Sequence, residues 1–397
     1  MAGCVERIRV RNYRCLKAVE IPVRPVNVLF GPSGVGKSTL LDALWFVRDV
    51  SIRGTLAAAA DRHHGIGALW DRACHGEVIE IAVETPSVAC TMSWAYADGR
   101  LQPYAGERLW SRQREMPLID RPVGAAAAAF CQGLDRPPVT VPLTEPDKPA
   151  FNAYLATPDP VPEALELREV LWSIHLYASR NLSLHQLRRV GSERSPHTFL
   201  YDRWQNLWSA LHHLHDRQAI DGRYNAIMDY MRRAYPDSFR ALVFQQADEG
   251  RVTASLVEHG RLQPIQASGM SDGQLQLLGL LTALFGESPR RYQLLMFDEP
   301  GMSLHTHAVR VFAEAVRHAA SHFNRQVIVA TPSTAPVSAF GVEACLVLGA
   351  GPERETLIRR PADDWTMLSR GAELASDAVG MIPEAALVDM TSDWTPH

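Results

Sequence analysis

Lysine is nearly missing from this chain. Of 40 basic residues only Lys17, Lys37 and Lys148 are lysine, so arginine is the default cation. A lysine kept inside a glycine-rich loop is therefore conspicuous. A compact ammonium fits between phosphate oxygens that a planar guanidinium would crowd. Cysteine lacks pattern: Cys4, Cys15, Cys74, Cys90, Cys131 and Cys345 are scattered, with no Cys-x-x-Cys pair. Neither a zinc site nor a disulfide framework is indicated. No apolar run approaches the roughly 20 residues of a membrane span. The first ten residues carry no apolar stretch suited to a signal peptide. The formal net charge is only -4, with neither a polybasic nor an acidic tail. These absences point to a reduced, cytoplasmic protein with no membrane segment; if it touches DNA, it does so through a local patch.

The 397 residues, 46% of them hydrophobic, can bury a large core. Val5 to Val10 alternates as a half-exposed strand, with Arg7, Arg9 and Arg11 on its outer face. A second strand is expected at Ala18 to Val23. Val26 to Phe30 is a short apolar strand running into a glycine loop, followed by Leu40, Leu41, Leu44 and Val47 at helical spacing. Further strands are expected from about 77 to 100. The proline-rich stretch from about 117 to 162, with the run Ala125 to Ala129, reads as an irregular, partly helical insertion. From about 163 to 235 the pattern is helical. A hairpin follows, with arms from Arg240 to Gln246 and Arg251 to Val257. Then come a helix from Asp272, a buried strand from Gln293 to Phe297, a helix from His305 to Ala320 and a strand from Gln326 to Ala330. Strands and helices alternate at both ends, an α/β plan. The expected division is 1–115 as an N-terminal lobe, 116–235 as an insertion and 236–397 as a C-terminal lobe with a short tail.

Three motifs carry chemistry. The first is Gly31-x-x-x-x-Gly36-Lys37-Ser38, between an apolar strand and an amphipathic helix, which is the context a phosphate loop needs. Its glycines let backbone N–H groups turn inward around phosphate oxygens, and the helix adds its positive end. Gly31, Ser33, Gly34, Gly36, Lys37, Ser38 and Thr39 are the candidate nucleotide residues: Lys37 for the β- and γ-phosphates, Ser38 for Mg²⁺. The second is an apolar strand ending in Asp298-Glu299-Pro300. Asp298 is the candidate Mg²⁺ residue and Glu299 the candidate base that polarises the attacking water. The bland alternative is a helix cap with an acidic first turn. The third is Ser271-Asp272-Gly273-Gln274, which alone has the form of a capping box on a leucine-rich helix.

In this order the motifs resemble an ABC-type ATPase head. The opening Ile8-x-Val10-x-Asn12-Tyr13-Arg14-Cys15-Leu16 is similar to the start of RecF-like, SMC-like and OLD-like AAA-family ATPases. Gln205-Asn206-Leu207-Trp208-Ser209-Ala210-Leu211 resembles a helix of that group, and Leu304-His305 resembles its D-loop. The resemblance implies a P-loop NTPase of ABC type, with a mixed sheet and a helical insertion. It also implies that Ser271, Gly273 and Gln274 meet the ATP of a second subunit, with Met302, Ser303 and Leu304 at the interface. Arg14 is a further candidate near the nucleotide. Gln102, Gln113 and Gln132 are candidates for the Q-loop glutamine. One position departs from the group: after Val327-Ile328-Val329 the run is Ala330-Thr331-Pro332-Ser333, so Pro332 stands where a switch histidine is expected.

The expected function is an ATP-binding, ATP-hydrolysing head that dimerises on ATP and controls DNA or an effector protein in bacterial defence or repair. The alternative is a nucleotide-locked scaffold with little hydrolysis. No long coiled coil separates the halves, and little chain follows the acids for a TOPRIM nuclease. A transporter subunit is disfavoured, because more than two hundred residues separate Lys37 from Ser271. The pairs His63-His64, His212-His213 and His305-x-His307 are weak metal candidates. Arg7, Arg9 and Arg11, together with Arg188, Arg189 and Arg194, are the candidate nucleic-acid patches.

Overall fold

The computed structural model describes residues 4–361 apart from 75, 132–136, 183, 196, 249, 288–289 and 291, and also the strand at 387–389. The chain forms two compact units that follow contact rather than chain order. One comprises Met1–Arg24, Gly31–Ile174 and Leu346–His397; the other comprises Pro25–Phe30 and His175–Cys345. The expected thirds of the chain cut across both.

The first unit is built on an eight-stranded antiparallel sheet. Its order is Val139–Pro142, Ala127–Phe130, Met116–Arg121, Gly106–Ser111, Val88–Trp94, Ile79–Glu84, Arg7–Tyr13 and Leu16–Pro22. Alternation places Ile8, Val10, Ile21, Ile81, Val83, Cys90, Met92 and Trp94 in the core. The helix after the glycine loop, Lys37–Arg53, buries Leu40, Leu41, Leu44, Phe46 and Val47. Phe46 packs on Trp94 with ring centroids 4.9 Å apart. Strands Cys345–Ala350 and Thr356–Pro361 pair antiparallel.

The stretch read as an irregular, partly helical insertion is partly helical at its end, but its first half carries sheet strands. Met116–Arg121, Ala127–Phe130 and Val139–Pro142 extend the antiparallel ladder edgeward. Alanine favours helix in isolation. Here Ala128 and Phe130 are buried while Ala127 and Ala129 are half-exposed, so the strand's two faces decide against the local preference. Helices Ala150–Leu155 and Pro162–Trp172 follow.

The second unit carries strands Ile174–Ala178, Gln293–Asp298, Arg325–Thr331 and Val26–Phe30, side by side in that order. The last three run parallel. All of Gln293–Asp298 and Arg325–Thr331 is buried, which is why they read as unbroken apolar runs rather than alternating ones. Around them lie helices Leu207–Asp216, Arg223–Ala234, Asp272–Phe285 and Thr306–His322. The helix Asp272–Phe285 is buried from Gly273 to Phe285. A Cβ at Gly279 would meet the Trp204 ring at 2.4 Å, so a glycine is what lets that indole dock. The hairpin appears at Ala241–Asp248 and Arg251–Val257.

Candidate functional site

The site residues fall into two groups, one in each unit. In the first, the loop that follows Phe30 leads straight into helix Lys37–Arg53. Gly34 and Gly36 have φ of 86° and 102°, values glycine adopts without strain. The helix has no side-chain cap and no acid in its first turn. No side chain within the helix therefore neutralises its positive end, the end that favours an anion. Lys37 is 4% exposed, and its Nζ donates to the carbonyls of Gly31 and Pro32, each at 2.7 Å. A buried ammonium held by carbonyls within the loop can pass those bonds to phosphate oxygens without moving far.

The back of the loop is braced. Thr356 Oγ1 donates to Val35 O at 2.9 Å, and Thr356 N donates to Cys15 O at 2.8 Å. Cys15 Sγ reaches Thr39 Oγ1 at 3.7 Å. Thr39 is thus held from behind, while Ser33 is exposed and Ser38 half-buried. Arg14 turns to the loop helix: its guanidinium lies 3.2 Å from Asp42. Arg62 bonds the same carboxylate at 3.0 Å and the Tyr13 hydroxyl donates to it at 2.6 Å. Burial, then Asp42, pushes the Tyr13 hydroxyl far above its ordinary range. Arg14 therefore belongs to a cluster on the loop helix.

In the second unit the parallel register fixes where the acids lie. Asp298 pairs with Ala330, and Phe30 pairs with Thr331. The end of the acidic strand and the end of the strand that enters the glycine loop are therefore at one edge of the sheet. That is the carboxyl edge, where open α/β sheets take their ligands. Asp298 is 5% exposed, with Arg180 3.5 Å away.

Glu299 has φ of 56°, although it precedes proline, whose ring disfavours helical backbone in the residue before it. Such a conformation costs a non-glycine residue about 1–3 kcal/mol. Both its backbone groups are tied: its N–H donates to Ala330 O at 2.8 Å, and Ser179 Oγ donates to its carbonyl at 2.8 Å.

The Ser271 motif forms the full capping box. Ser271 Oγ accepts from Gln274 N at 3.2 Å, and Gln274 Oε1 accepts from Ser271 N at 3.0 Å. The capping bond uses Ser271 only as an acceptor, and a hydroxyl can still donate. Structural and nucleotide-facing roles are therefore compatible. A Cβ at Gly273 would meet Ser303 O at 2.6 Å, so this glycine is required for the turn at Ser303 to approach. Arg188 secures the same start, donating to Met270 O at 2.7 Å and meeting Asp272 at 2.6 Å. Met302 is 70% exposed. Beyond Thr331, Pro332 leads to Ser333, whose hydroxyl caps the helix Thr334–Phe340.

Several sequence candidates lie elsewhere. Gln102 donates to Ala97 O at an exposed turn, and Gln113 lies in the turn between strands Gly106–Ser111 and Met116–Arg121. Gln132 lies outside the described residues. Among the described residues no group of three or more His, Cys, Asp or Glu could hold a metal ion. His305 instead caps its helix by accepting from Ala308 N, and His307 bonds Arg233 O. The arginine stripe is paired: Arg7 with Glu20 and Glu84, Arg9 with Glu84, Arg11 with Glu77. Two residues were missed by the sequence reading, Ser179 and Gln276. Neither sits in a recognisable motif, and only the fold brings them to Glu299.

Two family descriptions match the chain. Residues 148–337 match "AAA domain, putative AbiEii toxin, Type IV TA system", and residues 4–69 match "AAA ATPase domain". An OLD nuclease of Thermus scotoductus is 40% identical over 40 residues, which is 10% of this chain and 8% of that relative. In three dimensions the chain is similar to an SMC head bound to the C-winged helix domain of ScpA. That likeness has a TM-score of 0.52 and 15% identity over 89% of this chain and 97% of the other. It is also similar to an SMC head with an extended coiled coil bound to the C-terminal domain of ScpA from Pyrococcus furiosus. Here the TM-score is 0.50 and the identity 12%, over 89% and 96% of the two chains. These matches support an ATP-binding ATPase head of the ABC/SMC/OLD-like kind, and the likeness to SMC heads shows the P-loop NTPase fold. No helix among the described residues is long and apolar enough to cross a membrane.

Proposed function

We propose that this head binds ATP with Mg²⁺, pairs with a second copy across the bound nucleotide, and reopens on hydrolysis. As a homodimer or higher oligomer it would thereby control DNA or an effector protein in cytoplasmic phage defence or DNA repair. The observation that carries this reading is the carboxyl-edge register: Asp298 ends its strand level with the strand whose next residues are the uncapped loop of Lys37.

In this reading the loop amides from Gly34 to Thr39 and the Lys37 ammonium hold the phosphates. Ser38 and Asp298 offer hydroxyl and carboxylate oxygens, the hard donors Mg²⁺ prefers; the ion would neutralise charge on the phosphate oxygens. Glu299 accepts the proton of the attacking water. Ser271, Gly273 and Gln274 of the second head close the site, and the exposed Met302 is covered by pairing. The test is nucleotide affinity, phosphate release and solution mass for wild type and Glu299→Gln. The variant should bind ATP as tightly as wild type, turn over roughly 100-fold more slowly, and dimerise in ATP. Failure of both proteins to bind ATP rejects the reading.

Pro332 favours a second reading, a nucleotide-locked scaffold. Its ring offers no donor or acceptor to a phosphate or a water. Robust turnover by the protein alone rejects the scaffold.

A further inference from the structure

The strained turn that presents Glu299 is held by a side-chain clamp rooted in the neighbouring helix. Gln276 lies in helix Asp272–Phe285, two residues beyond Gln274, and is 2% exposed. Its amide is used at both ends. Nε2 donates to Ser179 Oγ at 3.0 Å, and Oε1 accepts from Ser303 N at 3.2 Å. Ser179 in turn donates its one hydroxyl hydrogen to the Glu299 carbonyl at 2.8 Å. A single buried amide thus ties the start of the turn at Glu299 to its end at Ser303. The same turn is packed against Gly273 by the Ser303 carbonyl. All these groups lie in one unit.

The directionality is specific. Ser179 can hold Glu299 only while something else donates to its oxygen, and Gln276 supplies that donor. A carboxylate at 276 could still accept from Ser303 N. It could not donate to Ser179, whose single hydrogen would then face two acceptors. Backbone that is disfavoured by its own φ and by the following proline persists only where its surroundings over-determine it.

We infer that Gln276 and Ser179 are positioning residues for the catalytic base: they fix the Glu299–Ser303 turn to the helix that begins at Ser271, so that whatever moves this helix moves Glu299. The inference rests on the reading of Glu299 as the base. Because Ser271 is expected to meet the nucleotide of a second head, the clamp gives pairing a direct route to the hydrolytic group.

The test uses full-length wild type, Gln276→Glu, Gln276→Leu, Ser179→Ala, Ser179→Thr and Glu299→Gln. Amide exchange in the peptide spanning 299–304 should quicken in Gln276→Leu, Gln276→Glu and Ser179→Ala, and hold near wild type in Ser179→Thr. The peptide spanning 31–39 should not change. Turnover should show at least a tenfold fall in kcat at unchanged ATP affinity for the first three, with Ser179→Thr retaining most activity. The double variant Ser179→Ala/Gln276→Leu should lose no more than the worse single, since both break one chain of bonds. Unchanged exchange at 299–304 overturns the clamp, whatever the turnover rate. Faster exchange with full kcat overturns its role in positioning. If Glu299→Gln itself keeps full turnover, the base assignment fails instead, and the exchange result still decides whether the clamp exists.

Discussion

Gly36 carries two separate constraints. Its φ of 102° strains any side chain, and a Cβ there would lie 2.3 Å from Thr356 Oγ1, the group that holds Val35. Gly34 has φ of 86° but nothing within 4 Å of an added Cβ. Gly36→Ala should therefore lower Tm and cut ATP affinity more than tenfold, while Gly34→Ala should show only the strain, about 1–2 kcal/mol. Thermal melts and nucleotide titration check the order. Lys37→Ala removes a buried ammonium whose present partners are two loop carbonyls. Nucleotide titration should find ATP binding lost, with melting in the absence of nucleotide changed little. At Pro332, histidine would supply a donor and an acceptor where there is none. If the missing group limits hydrolysis, Pro332→His should raise phosphate release several-fold, and an unchanged rate would show that the limit lies elsewhere. Loop residues and both acids were legible from spacing alone, because glycine freedom, a lone lysine and an apolar strand are local facts. Gln276 and Ser179 were not, because a glutamine and a serine 97 residues apart mean nothing until the fold joins them.

At the scale of elements, helix Ala150–Leu155 starts with no side-chain cap of its own. Glu107, from strand Gly106–Ser111, supplies one by accepting from the N–H groups of Ala150 and Phe151. Burial raises its carboxyl from 4.5 to about 7, against the opposing pull of those two amides and of Arg121. The folded state thus keeps a proton that the unfolded chain has already released. Stability from this group is full below about pH 4.5 and is lost as pH rises through about 7. Glu107→Gln keeps an acceptor oxygen and removes the titration. The Tm of wild type relative to this variant should fall from pH 5 to pH 8, and a parallel pair of curves would contradict it. The sheet that holds Glu107 also explains the largest misreading along the chain. Prolines and an alanine run suggested an irregular, partly helical insertion, yet three segments between 116 and 142 pair in register. Edge pairing is a non-local reward that no window of sequence contains. By contrast, Val26–Phe30, the helix from Asp272 and the hairpin arms fall within a residue or two of expectation, because periodicity and end signals agreed there.

At the scale of the whole molecule, two interaction surfaces make opposite predictions. Met302 is exposed beside the Ser303 turn, and an apolar side chain there gains by being covered. Met302→Asp should abolish the ATP-dependent rise in solution mass of a Glu299→Gln background while leaving nucleotide affinity unchanged; light scattering with and without ATP measures it. The stripe of Arg7, Arg9 and Arg11 is already matched by Glu20, Glu77 and Glu84. Removing its charges should leave any DNA affinity and its salt dependence unaltered, as a titration at two salt concentrations would reveal. If affinity falls with the stripe, those ion pairs yield to phosphate.

The sequence by itself determined what is covalently close: a phosphate loop between strand and helix, an acidic pair at a strand end, a capped helix start, and the order in which they come. Each depends on neighbours within a few residues, where backbone sterics and periodicity act. Only tertiary structure decided the rest. Parallel register brought the acidic strand's end level with the strand entering the loop. Sheet pairing overrode alanine's preference, and carboxylates neutralised the arginine stripe. A buried glutamine bonds the serine that holds the backbone of Glu299. Those outcomes belong to groups remote along the chain, which water serves in the unfolded state and which meet one another only once the chain has folded.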